Sequence, residues 1–412
     1  MRNRFIFILL FSGILQTQAQ DILRSLDDCL QTALKNNLEL QTGHIAIARA
    51  KALQGTAFNP ERTSFSLSQD PTSGGSPDNS ITVSQEFDFP TVYTSRHRLL
   101  RSETALEEQR LEVSRQELIR QVSLVYNNLL YQQRLLQILN MQDSICQQFV
   151  QNAAIKKNAG DISQLEELNA NLLLQENQMA IASTQADYDQ AIAELQSWLN
   201  TEAAIVPTEQ LEPLTTEALG TFMAESTPIA RELQQQQTVS RQQLEVARQG
   251  WLPSFSIALR NQMLLKGFNP YDQQRERFSE GNFMGFEVGV SVPLFYGEQR
   301  AKVKAAKREV EMADKNRQQA ILSLQSQYRQ GELRVQKAKQ RMDYYTTTAL
   351  SEADKISSLT QVMYTLGEIG YMEYIQNLIA AANIRQQHAQ AVSEYNQAII
   401  ELNAIQGNER FR

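Results

Sequence analysis

The residue types that usually carry out catalysis or bind metals are few in this chain and poorly spaced for either task. The histidines His44, His97 and His388 are far apart, and none has the spacing of metal ligands. The acidic pairs Glu107–Glu108 and Glu166–Glu167 lie in long helical patterns, where a solvated helix face is a simpler explanation than catalytic carboxylates. No glycine-rich phosphate loop follows a predicted strand. We therefore predict that the protein is not an enzyme and binds no cofactor or metal.

Composition and charge narrow the class further. The chain has 412 residues, of which 42% are hydrophobic, so it is able to bury a core. The net charge is −7 and both signs are interspersed, which gives no reason to expect binding to nucleic acid. Composition thus argues against a nucleic-acid partner without defining a function.

The N-terminus has the features of a secretory signal. Arg2 and Arg4 precede the apolar run Phe5–Leu15, and Ala19 stands at a position suited to cleavage. A membrane anchor is the alternative, but the apolar run is much shorter than the ~20 residues that a spanning helix needs. We expect residues 1–19 to be removed on export. No later segment is long and apolar enough to span a membrane as a helix, so membrane insertion of the mature chain must use strands.

The two cysteines, Cys29 and Cys146, lie in separate helical patterns. Export would allow them to form a disulfide. Two small, buried, unpaired residues is the interpretation that we prefer. Cys29 does not stand at the mature N-terminus, which argues against a lipid anchor on that residue.

Two turns that contain glycine interrupt the longest helical patterns. The first tip consists of Ala159, Gly160, Asp161, Ile162 and Ser163, and the second tip consists of Leu366, Gly367, Glu368, Ile369 and Gly370. The segment Thr91–Ala159 contains neither glycine nor proline. As one helix it would be about 100 Å long, at ~1.5 Å per residue. A helical return segment follows each turn, which predicts two long helical hairpins.

The long segments have the apolar spacing of coiled coils. Spacings of three and four predict a seam in the first of them, formed by Leu118, Val122, Val125, Leu129, Gln132, Leu136 and Leu139. We expect the return segment Leu165–Leu199 to pack along this helix. Its apolar positions include Leu168, Leu172, Met179, Ala182, Ala186, Ala193 and Leu195.

Two other stretches change from helical to alternating periodicity. Phe65 and Leu67 alternate with serines, and a second alternating run follows a loop rich in glycine, proline and serine, which predicts a β-hairpin over 62–90. The same pattern predicts a second hairpin over 253–293. Each predicted strand has one apolar and one polar face. Prolines border the strands at Pro60, Pro90, Pro253 and Pro293.

The second half of the chain repeats the first. A string that begins at Ala186, ADYDQAIAEL, recurs 207 residues later at Ser393 as SEYNQAIIEL. Gly160 and Gly367 have the same offset. We therefore expect two structural repeats joined by a linker. In chain order we predict a first repeat over 20–200 with a helical hairpin over 91–200, a linker over 201–227 with some helix around Glu217–Glu225, and a second repeat over 228–412 with a helical hairpin over 297–406.

The predicted fold is an α+β membrane protein in which the four strands of each chain join a shared β-barrel. Four strands are too few to close a barrel, for which about eight is the practical minimum, and an open sheet edge is not stable in lipid. Two chains would form a barrel of about eight strands and three chains one of about 12, and we favour three. The helical hairpins would then form a tube through the periplasm, with both tips at its far end. Strands at the edge of a sandwich in a soluble domain are the alternative.

Together these features resemble the TolC outer-membrane efflux family, over essentially the whole mature length. The resemblance rests on the duplicated plan of helix, hairpin and long helices, on the prolines at the strand borders and on the glycine-centred tips. Three strings resemble a narrower group, which includes CusC and CzcC and accompanies heavy-metal resistance–nodulation–division (RND) pumps. These strings are Gly55–Pro60, Gln69–Gly75 and Phe89–Tyr93.

The resemblance implies a TolC-like fold and a passive, homotrimeric export duct. Its β-barrel would cross the outer membrane, its α-helical barrel would cross the periplasm, and its tips would bind a periplasmic adaptor protein linked to an inner-membrane pump. The narrower group implies an RND-type pump and heavy-metal cations as cargo. A duct for type I protein secretion is the alternative within transport. An exported coiled-coil scaffold without a pore is the alternative outside it.

The family places carboxylates at the start of the last long helix, around the closed periplasmic aperture. Aligned on Gly367, the first such position is Glu373, and the second is Gln376, which departs from the acidic pattern. The corresponding positions of the first repeat are Glu166 and Asn169. A threefold ring at Glu373 would attract cations. The helix dipole alone also favours an acidic residue at a helix N-terminus, so the sequence leaves both explanations open.

Overall fold

The computed structural model describes residues 25–70, 78–160, 162–215, 222–263 and 282–408. Four predictions fall partly or wholly outside the described residues: the secretory signal at 1–19, the tip residue Asp161, the loops of the two predicted β-hairpins, and much of the helix expected around Glu217–Glu225. The last of these shows only a short 3-10 turn at Ala224–Ser226 in its described part.

The order helix, hairpin, long helix and return helix occurs twice along the chain. The first series consists of α1 (Leu26–Asn36), α2 (Leu38–Leu53), β1 (Ser64–Asp70), β2 (Asp78–Phe87), α3 (Pro90–Ala159) and α4 (Gln164–Leu199). The second consists of α5 (Pro228–Gln249), β3 (Ser254–Met263), β4 (Asn282–Ser291), α6 (Gly297–Tyr344), α7 (Leu350–Leu366) and α8 (Tyr371–Gln406). A 3-10 turn at Gln54–Ala57 extends α2, and a π-helical turn at Tyr345–Ala349 joins α6 to α7.

The described residues divide into two compact units. One contains residues up to Asn37, Gln121–Leu214 and Ala338–Gln397, and therefore includes the described residues of both tips. The other contains Leu38–Arg120, Thr215–Lys337 and the residues from Ala398 onwards, and therefore includes all four strands.

The absence of glycine and proline from Thr91–Ala159 allows α3 to run without interruption for 70 residues. Gly331 does not interrupt α6. A Cβ atom added at Gly331 would lie 2.9 Å from Leu402 Cδ1, so the glycine permits a close approach of α6 to α8. None of the helices in the described ranges is both long enough and apolar enough to cross a membrane.

Buried residues recur at every seventh position of the return helices. In α4 they are Ala170, Asn177, Thr184 and Ala191, and in α8 they are Ile375, Ala382, Ala389 and Asn396. This spacing is that of a left-handed coiled coil. Most of the seam predicted in α3 is confirmed, because Leu118, Val122, Val125, Leu129 and Leu139 are buried.

Helix α4 returns along α3 as predicted, since Asn177 Nδ2 donates to Leu139 O at 3.2 Å, but most of the apolar positions named for α4 are not buried within the chain. Leu168, Leu172 and Met179 are 57%, 52% and 70% exposed, and the face of α4 that is buried within the chain carries small or polar residues instead. Of the predicted positions, Leu195 is buried and Ala182, Ala186 and Ala193 are exposed. Small side chains allow helices to pack closely, so the chain packs its narrow face inward and leaves the bulky apolar face uncovered.

The four strands form one antiparallel sheet in the order β1-β2-β3-β4. The register places the large apolar side chains on one face: Phe65, Leu67, Ile81, Val83, Phe87, Phe255, Ile257, Leu259, Met284, Phe286, Val288 and Val290. The opposite face carries mostly serine, threonine and charged residues, such as Thr82 opposite Arg260. The predicted alternation of apolar and polar faces is confirmed, and much of the apolar face is exposed.

Cys29 and Cys146 are both buried and free, which confirms the preferred interpretation. Burial raises the pKa of the Cys29 thiol to about 12, with smaller contributions from Asp28 and Glu209. Both cysteines therefore act as small core residues rather than as reactive thiols.

Candidate functional site

The first tip is a short turn closed by side-chain caps. Gly160 has φ +82°, a left-handed conformation that favours glycine. Ser163 Oγ accepts a hydrogen bond from Glu166 N at 3.3 Å, and the Glu166 carboxylate accepts one from Ser163 N at 2.7 Å. This reciprocal pair is a capping box, and it occupies the Glu166 carboxylate at the start of α4. Lys157 pairs with Glu167 at 2.5 Å across the turn.

The second tip uses the same left-handed glycine in a different closure. Gly367 has φ +74°. Glu368 N donates to Met363 O at 2.9 Å and Gly367 N donates to Tyr364 O at 3.1 Å, the two bonds of a Schellman motif at the end of α7. Helix α8 then begins with a bond from Tyr374 N to Gly370 O at 3.0 Å.

The four residues expected at the aperture have different surroundings in the single chain. Glu373 and Gln376 are exposed on the first turns of α8. Glu166 is held in the capping box and Asn169 is half-buried on α4. Among the described residues, no hydrogen bond or ion pair joins any two of the four, so a ring would have to form from equivalent residues of several chains.

An aromatic core near the tips connects the helices of both hairpins. The rings of Phe149 on α3 and Tyr371 on α8 lie 4.2 Å apart between centroids, and the Tyr371 hydroxyl donates to the backbone oxygen of Phe149. Ala153, Ala170 and Ile375 complete the buried part of this cluster. Burial raises the pKa of Tyr371, as do Tyr364 and Tyr374 to a lesser extent, so its hydroxyl stays neutral.

Lys156 of α3 packs against this aromatic core. Its Nζ donates to the Tyr364 hydroxyl at 3.0 Å and lies 5.1 Å from the ring centroids of both Tyr364 and Tyr371. Lys156 therefore makes cation–π interactions with both tyrosine rings. Sequence reasoning missed this cluster. The available signal was the presence of tyrosines at 364, 371 and 374, around the second tip only.

Each hairpin also presents an exposed apolar stripe beside its tip. We call these the tip stripes: Leu165, Leu168 and Leu172 on α4, and Leu359, Val362 and Leu366 on α7. All six side chains are more than half exposed. Their spacing of three or four places each trio on one helix face, and an uncovered apolar face of this kind marks an interaction surface.

The tips expose apolar and charged side chains, such as Leu366 and Glu368. Within the described ranges, no group of three or more histidine, cysteine, aspartate or glutamate side chains is arranged to hold a metal ion.

His388 on α8 contacts the π-helical turn and should make the stability of the protein depend on pH. Its Nε2 lies 3.1 Å from Thr346 Oγ1 in the π-helical turn. Burial lowers the pKa of His388, and the nearby Arg134 lowers it further. The unfolded chain therefore takes up a proton at this residue before the folded chain does, and stability falls as the pH drops below about 6.5. In His388→Gln the midpoint of thermal unfolding should depend less on pH in this range. An unchanged pH profile would show that other groups cause the acid sensitivity.

Solved structures of outer-membrane channels share this fold across nearly the whole chain. A structure of CusC, described as forming a transmembrane channel, has a TM-score of 0.77 with 17% identity and covers 93% of this chain and 92% of that chain. The CmeC outer membrane channel of Campylobacter jejuni has a TM-score of 0.73 with 17% identity, over 93% and 85%. The MtrE outer membrane channel of Neisseria gonorrhoeae, in its open state, has a TM-score of 0.71 with 15% identity, over 93% and 89%. The predicted TolC-like α+β fold is confirmed.

The sequence places the chain in the corresponding family. A family model described as outer membrane efflux protein matches residues 29–201 and 224–408. A comparison with curated proteins gives no significant match. Because the family model covers most of the chain, the protein belongs to the outer membrane efflux protein family, whose members are transport channels rather than enzymes. The resemblance to the TolC family is thereby confirmed.

Proposed function

We propose that the protein is the outer-membrane exit duct of a tripartite efflux system and works as a homotrimer. The observation that carries this proposal is the four-stranded sheet, which exposes one apolar face. Among the described residues, β1 and β4 each have one unpaired edge. Pairing β4 of each chain with β1 of the next would close three sheets into a ring of about 12 strands. The ring would turn the apolar faces to lipid and leave no open edge.

The tips are the docking surface for a periplasmic adaptor in this proposal. Exposed apolar residues at helical spacing are the usual anchors when helices of two proteins pack together, and the tip stripes have this form. The glycine turns hold the ends of both hairpins in a compact shape. The adaptor would connect the passive duct to an inner-membrane pump that supplies the energy.

Heavy-metal cations driven by an RND-type pump are the cargo that we propose. Two observations support this choice: the three strings that resemble the CusC and CzcC group, and the exposed carboxylate of Glu373 at the start of α8. A ring of carboxylates at a constriction lowers the energy of cations relative to anions.

Isolation of the assembly with its partners tests the proposed function. A photo-crosslinking amino acid at Leu168 or Leu359 should capture an adaptor protein in cells, whereas the same amino acid at the exposed Glu225 should not. The purified protein should leave the outer membrane only with detergent and should size as a trimer. Capture of a partner that belongs to a type I exporter would replace the pump that we propose. A water-soluble monomer or dimer would contradict the duct and favour the scaffold.

The proposed ring at the aperture predicts a change in ion selectivity. Glu373 is exposed and lies in the first turn of α8, so Glu373→Gln should preserve the fold while removing one charge per chain. In a planar bilayer, the cation-to-anion permeability ratio should fall severalfold and block by divalent ions should weaken. The exposed Glu368 in the second tip provides a matched control for the loss of one nearby carboxylate. Equal effects of Glu373→Gln and Glu368→Gln would show that no ring forms at Glu373.

A further inference from the structure

Aromatic side chains gather where the helices meet the sheet, in the unit that contains the strands. We call Phe58, Tyr93, Trp251, Phe295 and Tyr296 the aromatic belt. Phe58 and Tyr93 lie 4.9 Å apart between ring centroids, and Trp251 stacks on Tyr296 at 5.4 Å. Phe58 and Phe295 are largely exposed, which is costly in water for side chains of this size.

Basic side chains occupy the helical turns that follow directly from the strands. The first 12 residues of α3 (90–101) and of α6 (297–308) contain eight arginines and lysines but one acidic residue, a net charge of +7 in a chain whose total is −7. The eight basic residues, which we call the basic collar, are Arg96, Arg98, Arg101, Arg300, Lys302, Lys304, Lys307 and Arg308. The first 12 residues of α4 and α8, which start at the tips, contain three acidic residues and no basic ones.

Neither the helix dipole nor ion pairing accounts for the basic collar. The dipole favours acidic residues at the start of a helix, as found at the tips. Three members of the collar have carboxylate partners: Arg96 with Asp88 at 2.8 Å, Lys302 with Glu298 at 2.7 Å, and Arg308 with Glu311 at 2.5 Å. Within the described ranges the other five, which are Arg98, Arg101, Arg300, Lys304 and Lys307, are exposed and have no ion pair.

One pocket brings the two features together. Its lining consists of Ala57, Phe58, Tyr93, Thr94, His97 and Arg98. The Arg96 guanidinium lies 5.9 Å from the centroid of the Tyr93 ring, so cationic and aromatic groups share this surface. A ligand that suits it has an apolar body next to an anionic head.

We propose that this surface binds anionic phospholipid: the aromatic belt lies at the membrane–water interface, and the basic collar holds the phosphate headgroups of the adjacent leaflet. The proposal rests on the proposed function, because it requires the apolar sheet face to lie in the membrane. Aromatic rings concentrate at the edges of membrane-spanning strands. Basic residues next to an anionic bilayer surface each add to the attraction. The basic collar thus selects the lipid that surrounds the duct, and the aromatic belt sets the depth of the duct in the membrane.

The sequence supplies its own reporter for a test. The chain contains two tryptophans, Trp198 and Trp251, and the second is in the aromatic belt. In a Trp198→Phe background, Trp251 fluorescence is measured with the full-length protein reconstituted in mixed vesicles of phosphatidylglycerol and phosphatidylcholine, with one lipid brominated at a time. At low salt, the quenching of Trp251 by the two brominated lipids should correspond to an affinity about fivefold higher for phosphatidylglycerol than for phosphatidylcholine. High salt should reduce this preference.

Charge-neutralising variants separate the collar from the rest of the helix. The triple variant R300Q/K304Q/K307Q should lower the preference for phosphatidylglycerol to less than about twofold while quenching by phosphatidylcholine persists. The control R329Q/K337Q/K339Q removes three exposed charges later along the same continuous helical run and should keep the full preference.

Two results would overturn the proposal. One is a preference that survives in R300Q/K304Q/K307Q, and the other is a reconstituted, conducting protein whose Trp251 is not quenched by either lipid. In the first case, an accompanying loss of adaptor crosslinking in the triple variant would assign the collar to a protein partner. Failure of the wild-type protein to reconstitute or conduct would instead count against the proposed function.

Discussion

Replacement of Leu67 with arginine is expected to prevent stable insertion of the protein into the outer membrane. Leu67 lies on the apolar face of β1 opposite Ile81, and its side chain is 76% exposed in the single chain. In a water-soluble domain, arginine at such a site would be harmless. In lipid, an arginine near the middle of the bilayer costs about 2–4 kcal/mol, and a trimer would carry the cost three times. The amount of protein in the outer-membrane fraction, and its unfolding free energy in liposomes, should both fall sharply.

Ser66, the neighbour of Leu67 on β1, provides a control because it is also exposed. Ser66 is exposed and lies on the opposite, polar face of β1, where it pairs with Thr82. Ser66→Arg should leave both membrane yield and stability close to those of the wild type. Equal behaviour of Leu67→Arg and Ser66→Arg would show that the apolar face does not contact lipid.

Truncation of Tyr371 to alanine should strongly destabilise the region of the tips. Tyr371 is 6% exposed and packs against Phe149 in the aromatic core that links α3 with α8. Removal of a buried aromatic side chain typically costs about 3–5 kcal/mol because a cavity remains. In detergent, the denaturant midpoint of the purified protein should fall. Conductance in a planar bilayer should rise, because the ends of the two hairpins are no longer held together.

A smaller change at the same residue distinguishes packing from hydrogen bonding. Tyr371→Phe keeps the ring but removes the hydrogen bond to the Phe149 backbone oxygen. Loss of one such bond costs about 0.5–1.5 kcal/mol, plus the cost of leaving the acceptor without a partner. We therefore expect Tyr371→Phe to lie much closer to the wild type than Tyr371→Ala does. If the two variants match, the ring contacts do not stabilise the tips.

The features that were predictable from the sequence are those with strong local causes. The 70-residue segment of α3 has proline only at its first position, so no residue in its interior breaks the helix. The observed helix confirms the predicted bounds to within one residue. Strict alternation determines the two faces of each strand, and the register of the sheet confirms it. The two glycine turns predicted at the same offset are both present, and Gly160 and Gly367 adopt a left-handed φ that glycine readily permits.

The features that the sequence did not predict depend on contacts distant along the chain. Both faces of α4 have a period of seven, with Leu165, Leu172 and Met179 on one and Ala170, Asn177 and Thr184 on the other. Hydrophobicity favours the first face for burial, but close packing within the chain selects the second. Likewise, the contact of Lys156 with tyrosines more than 200 residues away leaves no periodic signal. The π-helical turn at Tyr345–Ala349 has no glycine or proline to announce it.

The pairing of β2 with β3 has a consequence for how such a chain arose. This pair joins the hairpin of the first half to the hairpin of the second, and it is the same kind of contact that β4 of one chain would make with β1 of the next. Around a ring of three chains, pairings within a chain and between chains would therefore alternate. In both, the second strand of one hairpin would pair with the first strand of the next hairpin. An ancestral polypeptide of half this length, with one hairpin and one pair of long helices, would form the same ring of strands as a homohexamer. Gene fusion would then have converted six identical subunits into three, and freed the two halves to diverge at their tips.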